Sequence, residues 1–318
     1  AILALTAIIL LFFMDFGDPD KGTPFNLEQL EGASEAQQEQ ILEEAFLPPA
    51  LPKGQEAELL AWIFREKSGR GISLIRDQAL VLENLPLHLG KAVILLAESG
   101  QPDASLRAMA LARRLFPNDP DTLAAAGILA FLAGDTQAAR DLLQRASTWK
   151  KEMPQADFYL GGILLESESA ADRSRGKSLL LDIAESRHKE FAVPASLMLL
   201  TSATVPVLEG ERETLLDILQ EEEALTADNE RLTPAVLRSL ANQAARPRPE
   251  LAVRLAGMLL ETEEATLSDT IGLIQLQQDL GKYAEAGDLL EPLAEEDPQG
   301  MEPALRQRLA RLLAFNDL

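Results

Sequence analysis

The chain reads as an all-α protein, an array of short helix hairpins, on three observations. From Gly54 onward apolar residues recur at spacings of three and four, as in Leu59, Leu60, Trp62, Ile63 and Phe64, the period of an amphipathic helix. Gly and Pro recur between segments of about 10–15 residues, the punctuation of helix hairpins. No stretch sustains the apolar–polar alternation that a half-buried strand requires. Hydrophobic residues make up 47% of the 318 positions, enough for a sizeable core.

Composition narrows the function classes. There is no Cys, which removes disulfides, thiolate metal sites and thiol nucleophiles. The two His, His88 and His188, are isolated in sequence, so zinc and triad chemistry are not expected. Lys and Arg number 29 against 51 Asp and Glu, a formal net charge of −22. Such a field repels phosphate backbones, so no nucleic-acid partner is expected.

The elements follow in order. Ala1–Met14 carries no charge and one hydroxyl, Thr6. As a helix it would be about 21 Å long, at ~1.5 Å per residue, short of the ~20 apolar residues that span a bilayer. The chain begins inside this apolar run and without Met, which suggests that the native N-terminus lies further upstream. Three readings compete: a signal peptide, a buried core segment, and a single membrane anchor. The anchor is favoured, because no small-x-small cleavage site follows Met14. It would comprise residues 1–16, with Ile2, Leu3, Leu5, Ile8, Ile9, Leu10, Leu11, Phe12 and Phe13 in lipid. Residues 1–60 hold two basic and eleven acidic side chains. Cytoplasmic flanks are usually rich in Lys and Arg, so the body is expected on the outer side, the periplasm of a bacterium.

Gly17, Pro19, Gly22 and Pro24 interrupt any continuation of the anchor. Ser34 with Gln37 is a capping-box pattern, opening a short polar helix to about Phe46 with a stripe of Ile41, Leu42, Ala45 and Phe46. Pro48, Pro49 and Pro52 make an extended spacer. The acidic, Pro-containing stretch 17–54 is therefore expected to be a stalk, with a strap packed along the body as the alternative. N-terminal helices follow over 55–85. Gly69 and Gly71 are expected to punctuate them, with a helix over Ser73–Glu83, and Pro86 can open the next helix in its first turn.

The body repeats itself. Ser99-Gly100-Gln101-Pro102-Asp103-Ala104 matches Ala133-Gly134-Asp135-Thr136-Gln137-Ala138, with the glycines 34 apart. Ala112 and Ala146 each lie twelve residues after their glycine, and Pro117 lies seventeen after Gly100. Gly127 and Gly161 are also 34 apart. A third copy is Leu280-Gly281-Lys282-Tyr283-Ala284-Glu285-Ala286, with Pro298 seventeen residues after its glycine. Gly134 and Gly281 are 147 apart, eleven more than four periods. Three further units therefore fit between them, with insertions near Ser167–Arg175 and Val205–Glu211.

These turns, small residues and terminal prolines resemble the tetratricopeptide repeat (TPR) family, whose period is 34. The resemblance covers about 86–300. It implies a right-handed helical-repeat solenoid of six units, near 86–119, 120–153, 154–192, 193–230, 231–265 and 266–300. The last is followed by a capping helix over 301–318. Small residues, Ala112, Ala139, Ala146 and Ala286 among them, would let paired helices approach closely. The family's groove is lined by the first helices of successive units, which here implies Ile94, Ile128, Phe131, Phe158 and Leu165. These are apolar, so an apolar or amphipathic partner helix suits them better than a free acidic C-terminus. The competing reading is that they are ordinary core between units.

No motif for chemistry stands out. Runs such as Glu221–Glu223 and Glu295–Glu296 read as solvated faces. Gly69-Arg70-Gly71 lacks the rest of a phosphate loop. His88 is expected near a first helical turn and His188 at an exposed helix end. No catalytic set, metal site, cofactor or small-molecule substrate is expected. The expected partners are protein subunits of a membrane complex, plus the bilayer through residues 1–16. The expected role is a non-enzymatic scaffold: a membrane-anchored accessory subunit. The alternative is a periplasmic assembly factor or chaperone for membrane or secreted proteins, similar to the TPR-type cytochrome c maturation subunit or to partners of the secretion translocon; Gly17-Asp18-Pro19-Asp20 after an apolar helix looks faintly like the former.

Overall fold

The computed structural model describes residues 25, 27–46, 51–149, 153–188, 190–221, 224–226, 232–295 and 303–316. The expected anchor, residues 1–16, lies outside them. Among the described residues all regular structure is α-helical, and no helix is long and apolar enough to cross a membrane. The chain divides into two compact units, one ending at Gly134 and the other beginning at Asp135.

The first unit contains α1 (Glu28–Glu31), α2 (Glu35–Ala45), α3 (Glu56–Arg65), α4 (Gly69–Asp77), α5 (Leu85–Glu98), α6 (Pro102–Leu115) and α7 (Pro120–Leu132). The capping box that opens α2 is present: the Ser34 backbone N–H donates to Gln37 Oε1 at 3.0 Å. Residues 27–46 lie as a strap and not as a free stalk. Leu30, Leu42 and Phe46 are buried, α2 packs on α4, and Leu27 N–H donates to Gln55 Oε1 at 3.1 Å. Arg65–Glu31 and Arg70–Glu43 ion pairs fasten the strap's exposed side. The physical reason is the apolar stripe of α2, which gains more by burial than by remaining in water.

The expected helix over Ser73–Glu83 is displaced. It runs over Gly69–Asp77, because the Ser68 side chain caps it by accepting from Gly71 N–H at 3.1 Å. The two glycines thus lie inside its first turn. A Cβ on Gly71 would stand 2.8 Å from two carbons of Ile63, so that glycine serves close packing on α3. Pro86 does lie in the first turn of α5. The core of this unit forms where α3 and α5 pack, with Leu59, Leu60, Ile63, Phe64, Leu85 and Leu89 buried. Helix α5 packs on α3, α6 and α7, the signature of a stack in which each helix meets its neighbours one and two places along the chain.

The second unit contains α8 (Thr136–Trp149), α9 (Pro154–Leu165), α10 (Ala170–Glu185), α11 (Ala192–Thr201), α12 (Glu209–Glu221), α13 (Pro234–Ala244), α14 (Pro249–Leu260), α15 (Leu267–Asp279), α16 (Tyr283–Glu295) and α17 (Pro303–Asn316). From α8 onward each helix packs on the next, except that α12 and α13 are linked through α11; α10·α12, α11·α13 and α15·α17 add the second-neighbour contacts. Pairs α9/α10, α11/α12, α13/α14 and α15/α16 fall inside the units expected from the repeat. Pro120, Pro154, Pro234 and Pro249 each open a helix, where a missing N–H costs nothing. The insertion expected over Ser167–Arg175 is only partly a loop: Ser169 caps α10 and its remainder adds a first turn to that helix.

The turn glycines behave as the repeat requires. Gly100, Gly134 and Gly281 have φ of 73°, 82° and 72°, a region that side chains disfavour. Close approach has its own glycines in the α9/α10 hairpin. A Cβ on Gly176 would lie 2.7 Å from the Gly161 carbonyl oxygen and 2.9 Å from both Leu164 Cβ and Leu165 N. Ala112, Ala139, Ala146 and Ala286 are all fully buried. The terminal helix α17 closes the stack with Leu309 and Leu312 buried against Ile271, Ile274 and Leu290. Gln278 Nε2 donates to the Leu312 carbonyl at 3.0 Å across that joint.

Candidate partner-binding surfaces

The five expected groove residues fall into different environments. Ile94 on α5 and Ile128 on α7 belong to the core of the first unit, and Leu165 at the end of α9 to that of the second. They reach a partner only if the core opens. Phe131, in the last turn of α7, is 40% exposed and its neighbour Leu132 47%. Phe158 in the first turn of α9 is half-buried and packs on the second unit's core. The helical period puts all five on apolar faces; only tertiary packing separates the face that meets a neighbouring helix from the face that meets water.

Phe158 is the head of an aromatic chain. Its ring meets Tyr159 edge-on at 5.5 Å and Phe191 at 5.3 Å, and Phe191 meets the His188 ring at 5.4 Å. His188 is therefore not an exposed helix end. It follows α10 at a turn where Arg187 takes φ of 52°, and among the described residues its buried Nδ1 has no hydrogen-bond partner. The turn at Arg187 folds the imidazole back over Phe191, which the sequence pattern Arg-His-Lys does not reveal. Next to Phe158, burial pushes the Asp157 carboxyl up, partly opposed by Ser147 Oγ, which donates to it at 2.6 Å. His88, on α5 as expected, has its imidazole pKa lowered by burial.

Five ion pairs are formed within the second unit among the described residues. Arg238 meets Asp269 with two bonds, Nε to Oδ1 at 2.7 Å and Nη2 to Oδ2 at 2.8 Å. That bidentate bond, foremost, holds the Asp269 carboxyl well below the usual carboxylate range. Asp269 also completes the capping box of α15 with Thr266. Lys177 meets Glu211 at 2.6 Å and Arg140 meets Asp172 at 2.9 Å. Among the described residues no group of three or more metal-ligating side chains comes together.

A second surface feature escaped the sequence reading. Arg212, Ser239, Asn242, Gln243, Ala245 and Arg246 line an open groove of about 470 Å³. The polar spacing Ser239, Asn242, Arg246 on a helix with an otherwise apolar face was the available signal; it becomes visible only when Arg212 is known to lie opposite.

No protein-family model matches the chain, and no curated protein matches it. Among solved structures it is similar to a tetratricopeptide repeat protein from Parabacteroides merdae. The identity there is 12% and the TM-score 0.37, over 82% of this chain and 100% of that one. It is also similar to the assembly chaperone of RpL4, at 16% identity and a TM-score of 0.36, over 73% of this chain and 95% of that one. The class of the present protein, an all-α array of sequentially packed helices, rests on its own helix pairing.

Proposed function

We propose that this protein is a non-enzymatic interaction scaffold: a TPR-like accessory subunit that docks on a larger membrane complex and is held there by residues 1–16. The observation that carries the reading is the nearest-neighbour packing of the helices. Each hairpin is stabilised by those beside it, so the remaining helix faces form an extended surface on which a partner can lie. An anchor would raise the local concentration of that surface at the membrane. The paucity of Lys and Arg after residue 14 supports an outward, periplasmic placement of the body.

The test is a mild-detergent purification from native membranes with mass spectrometry of intact stoichiometry. One multi-subunit complex at fixed ratio is the expected result. A spread of substoichiometric clients would instead make the protein an assembly factor. Deleting residues 1–16 is expected to release the protein from carbonate-washed membranes; retention would remove the anchor from the proposal. Phe131→Asp is expected to weaken co-purification tenfold or more, and unchanged stoichiometry would move the docking surface away from the end of α7.

A further inference from the structure

Arg212 is, among the described residues, a half-buried cation without an anion. Among the described residues its guanidinium donates only to neutral oxygens, from Nε to Gln243 Oε1 at 2.8 Å and from Nη2 to the Val207 carbonyl at 3.2 Å. Gln243 is itself fixed, because its Nε2 donates to the Leu200 carbonyl at 2.7 Å. The guanidinium plane is thus set from both sides, while three of its five N–H groups stay uncommitted. Its position is also unfavourable in isolation. Arg212 sits in the first turn of α12, where the helix dipole disfavours positive charge.

Neither adjacent acid relieves it: Glu213 makes no ion pair with it among the described residues, and Glu211 is engaged elsewhere. The Glu211 carboxylate takes Lys177 Nζ at 2.6 Å and the Leu208 N–H at 2.7 Å. Elsewhere in the same unit Arg140, Arg187, Arg238 and Arg248 each meet a carboxylate, and Arg173, which donates to the Ser167 and Glu168 carbonyls, does not line the groove that Arg212 shares with a second cation, Arg246. In a chain with 51 acidic residues, an arginine held ready and left unpaired marks a place for an external anion.

The groove beside Arg212 has the matching chemistry. Its other polar walls are Ser239, Asn242, Gln243 and Arg246, and among the described residues no Asp or Glu lines it. Ser239, Asn242 and Arg246 follow at i, i+3 and i+7, one face of α13 and the turn beyond it. They form no hydrogen bond or ion pair among the described residues. The groove therefore presents two positive charges, a hydroxyl and an amide. A single carboxylate would neutralise one charge and occupy one guanidinium fork. A phosphate monoester carries close to two negative charges at neutral pH and three acceptor oxygens, and guanidinium binds it in bidentate fashion.

We propose that the Arg212–Arg246 groove binds a phosphate monoester dianion presented by a segment of a partner protein. Arg212 and Arg246 take its charge, and Ser239 and Asn242 fix its orientation. The openness of the groove suits a group projecting from a larger molecule. That the larger molecule is a protein rests on the scaffold role proposed above.

The test uses the full chain and follows backbone amide shifts on titration. The probes are an acetylated Gly-phosphoSer-Gly amide, its unphosphorylated form, inorganic phosphate, and phosphatidylcholine vesicles containing phosphatidic acid. Saturable shifts at residues 207–212 and 239–246 with the phosphopeptide, absent with the unphosphorylated form, are expected. Arg212→Gln and the more exposed Arg246→Gln are each expected to weaken binding about tenfold. Affinity is expected to fall between pH 7.5 and 5 as the phosphate loses its second charge. No saturable shift, or equal affinity in Arg246→Gln, overturns the site. Response to inorganic phosphate without the phosphopeptide, or to vesicles alone, overturns the protein source. Loss of phosphopeptide binding with an intact native complex removes this site and leaves the scaffold; the converse removes the complex and leaves the site.

Discussion

Replacing Gly176 by Ala places one methyl group at the crossing of α9 and α10. The new Cβ would stand 2.7 Å from the Gly161 carbonyl oxygen and 2.9 Å from Leu165 N, both backbone atoms, with Leu164 Cβ also at 2.9 Å. None of these can swing aside as the tip of a long side chain can, so the helices must part by several tenths of an ångström. Overpacking of this kind costs about 1–3 kcal/mol. Against it, Ala in a helix interior gains roughly 0.5–1 kcal/mol over Gly. The net expectation is a loss of about 0–2.5 kcal/mol, or up to ~10 °C in melting temperature at roughly 2–4 °C per kcal/mol for a unit of this size. Gly257→Ala and Gly272→Ala are the controls. They lie inside α14 and α15 with nothing within 4 Å of the added Cβ, so each is expected to gain about 0.5–1 kcal/mol from propensity alone. Urea unfolding of the three variants gives opposite signs if close approach is the reason for Gly176. A Gly176→Ala protein as stable as the control variants would refute it.

Other outcomes follow from the same structure. Asp269→Asn is expected to lose about 1.5–3 kcal/mol by removing charge-assisted bonds to Arg238, measured by urea unfolding at pH 7. Because the folded-state pKa of Asp269 is depressed, its stabilisation is full above about pH 4 and declines as pH falls below that; in the Asn variant the part of the acid slope due to this group should vanish. Asp157 has the opposite sign: burial raises its carboxyl, so stability from this group is complete below about pH 4 and declines as pH rises. Asp157→Asn should therefore flatten the profile in the other direction. Lys67→Gly relieves a left-handed residue with φ of 57°, and calorimetry should show a gain of up to about 1 kcal/mol.

Much of the helical framework could be read from residues in sequence. The turn glycines lie 34 apart, and their positive φ follows from the need to reverse the chain in a few residues. Ser34 with Gln37 announced α2, and Pro86 announced the first turn of α5. The start of α4 was missed by four residues because Gly69 and Gly71 look like breakers. Their role is set by the Ser68 cap and by Ile63 on another helix. The groove residues were harder still. Ile94, Ile128, Phe131, Phe158 and Leu165 have the same apolar character, and nothing local distinguishes Phe131 at the surface from Ile128 one turn earlier in the core.

The sequence by itself determined that the chain is all-helical, that it repeats, where most helices begin, and that its surface is strongly acidic. These are properties of short windows, where period, capping and backbone freedom act within a few residues. Tertiary structure alone decided that residues 27–46 strap the first unit, that His188 stacks on Phe191, that Gly161 and Gly176 face each other, and that Arg212 meets no carboxylate among the described residues. Each of those depends on how one element turns back on or meets another. Packing distance and the pairing of charges exist only between such elements, so no single helix records them.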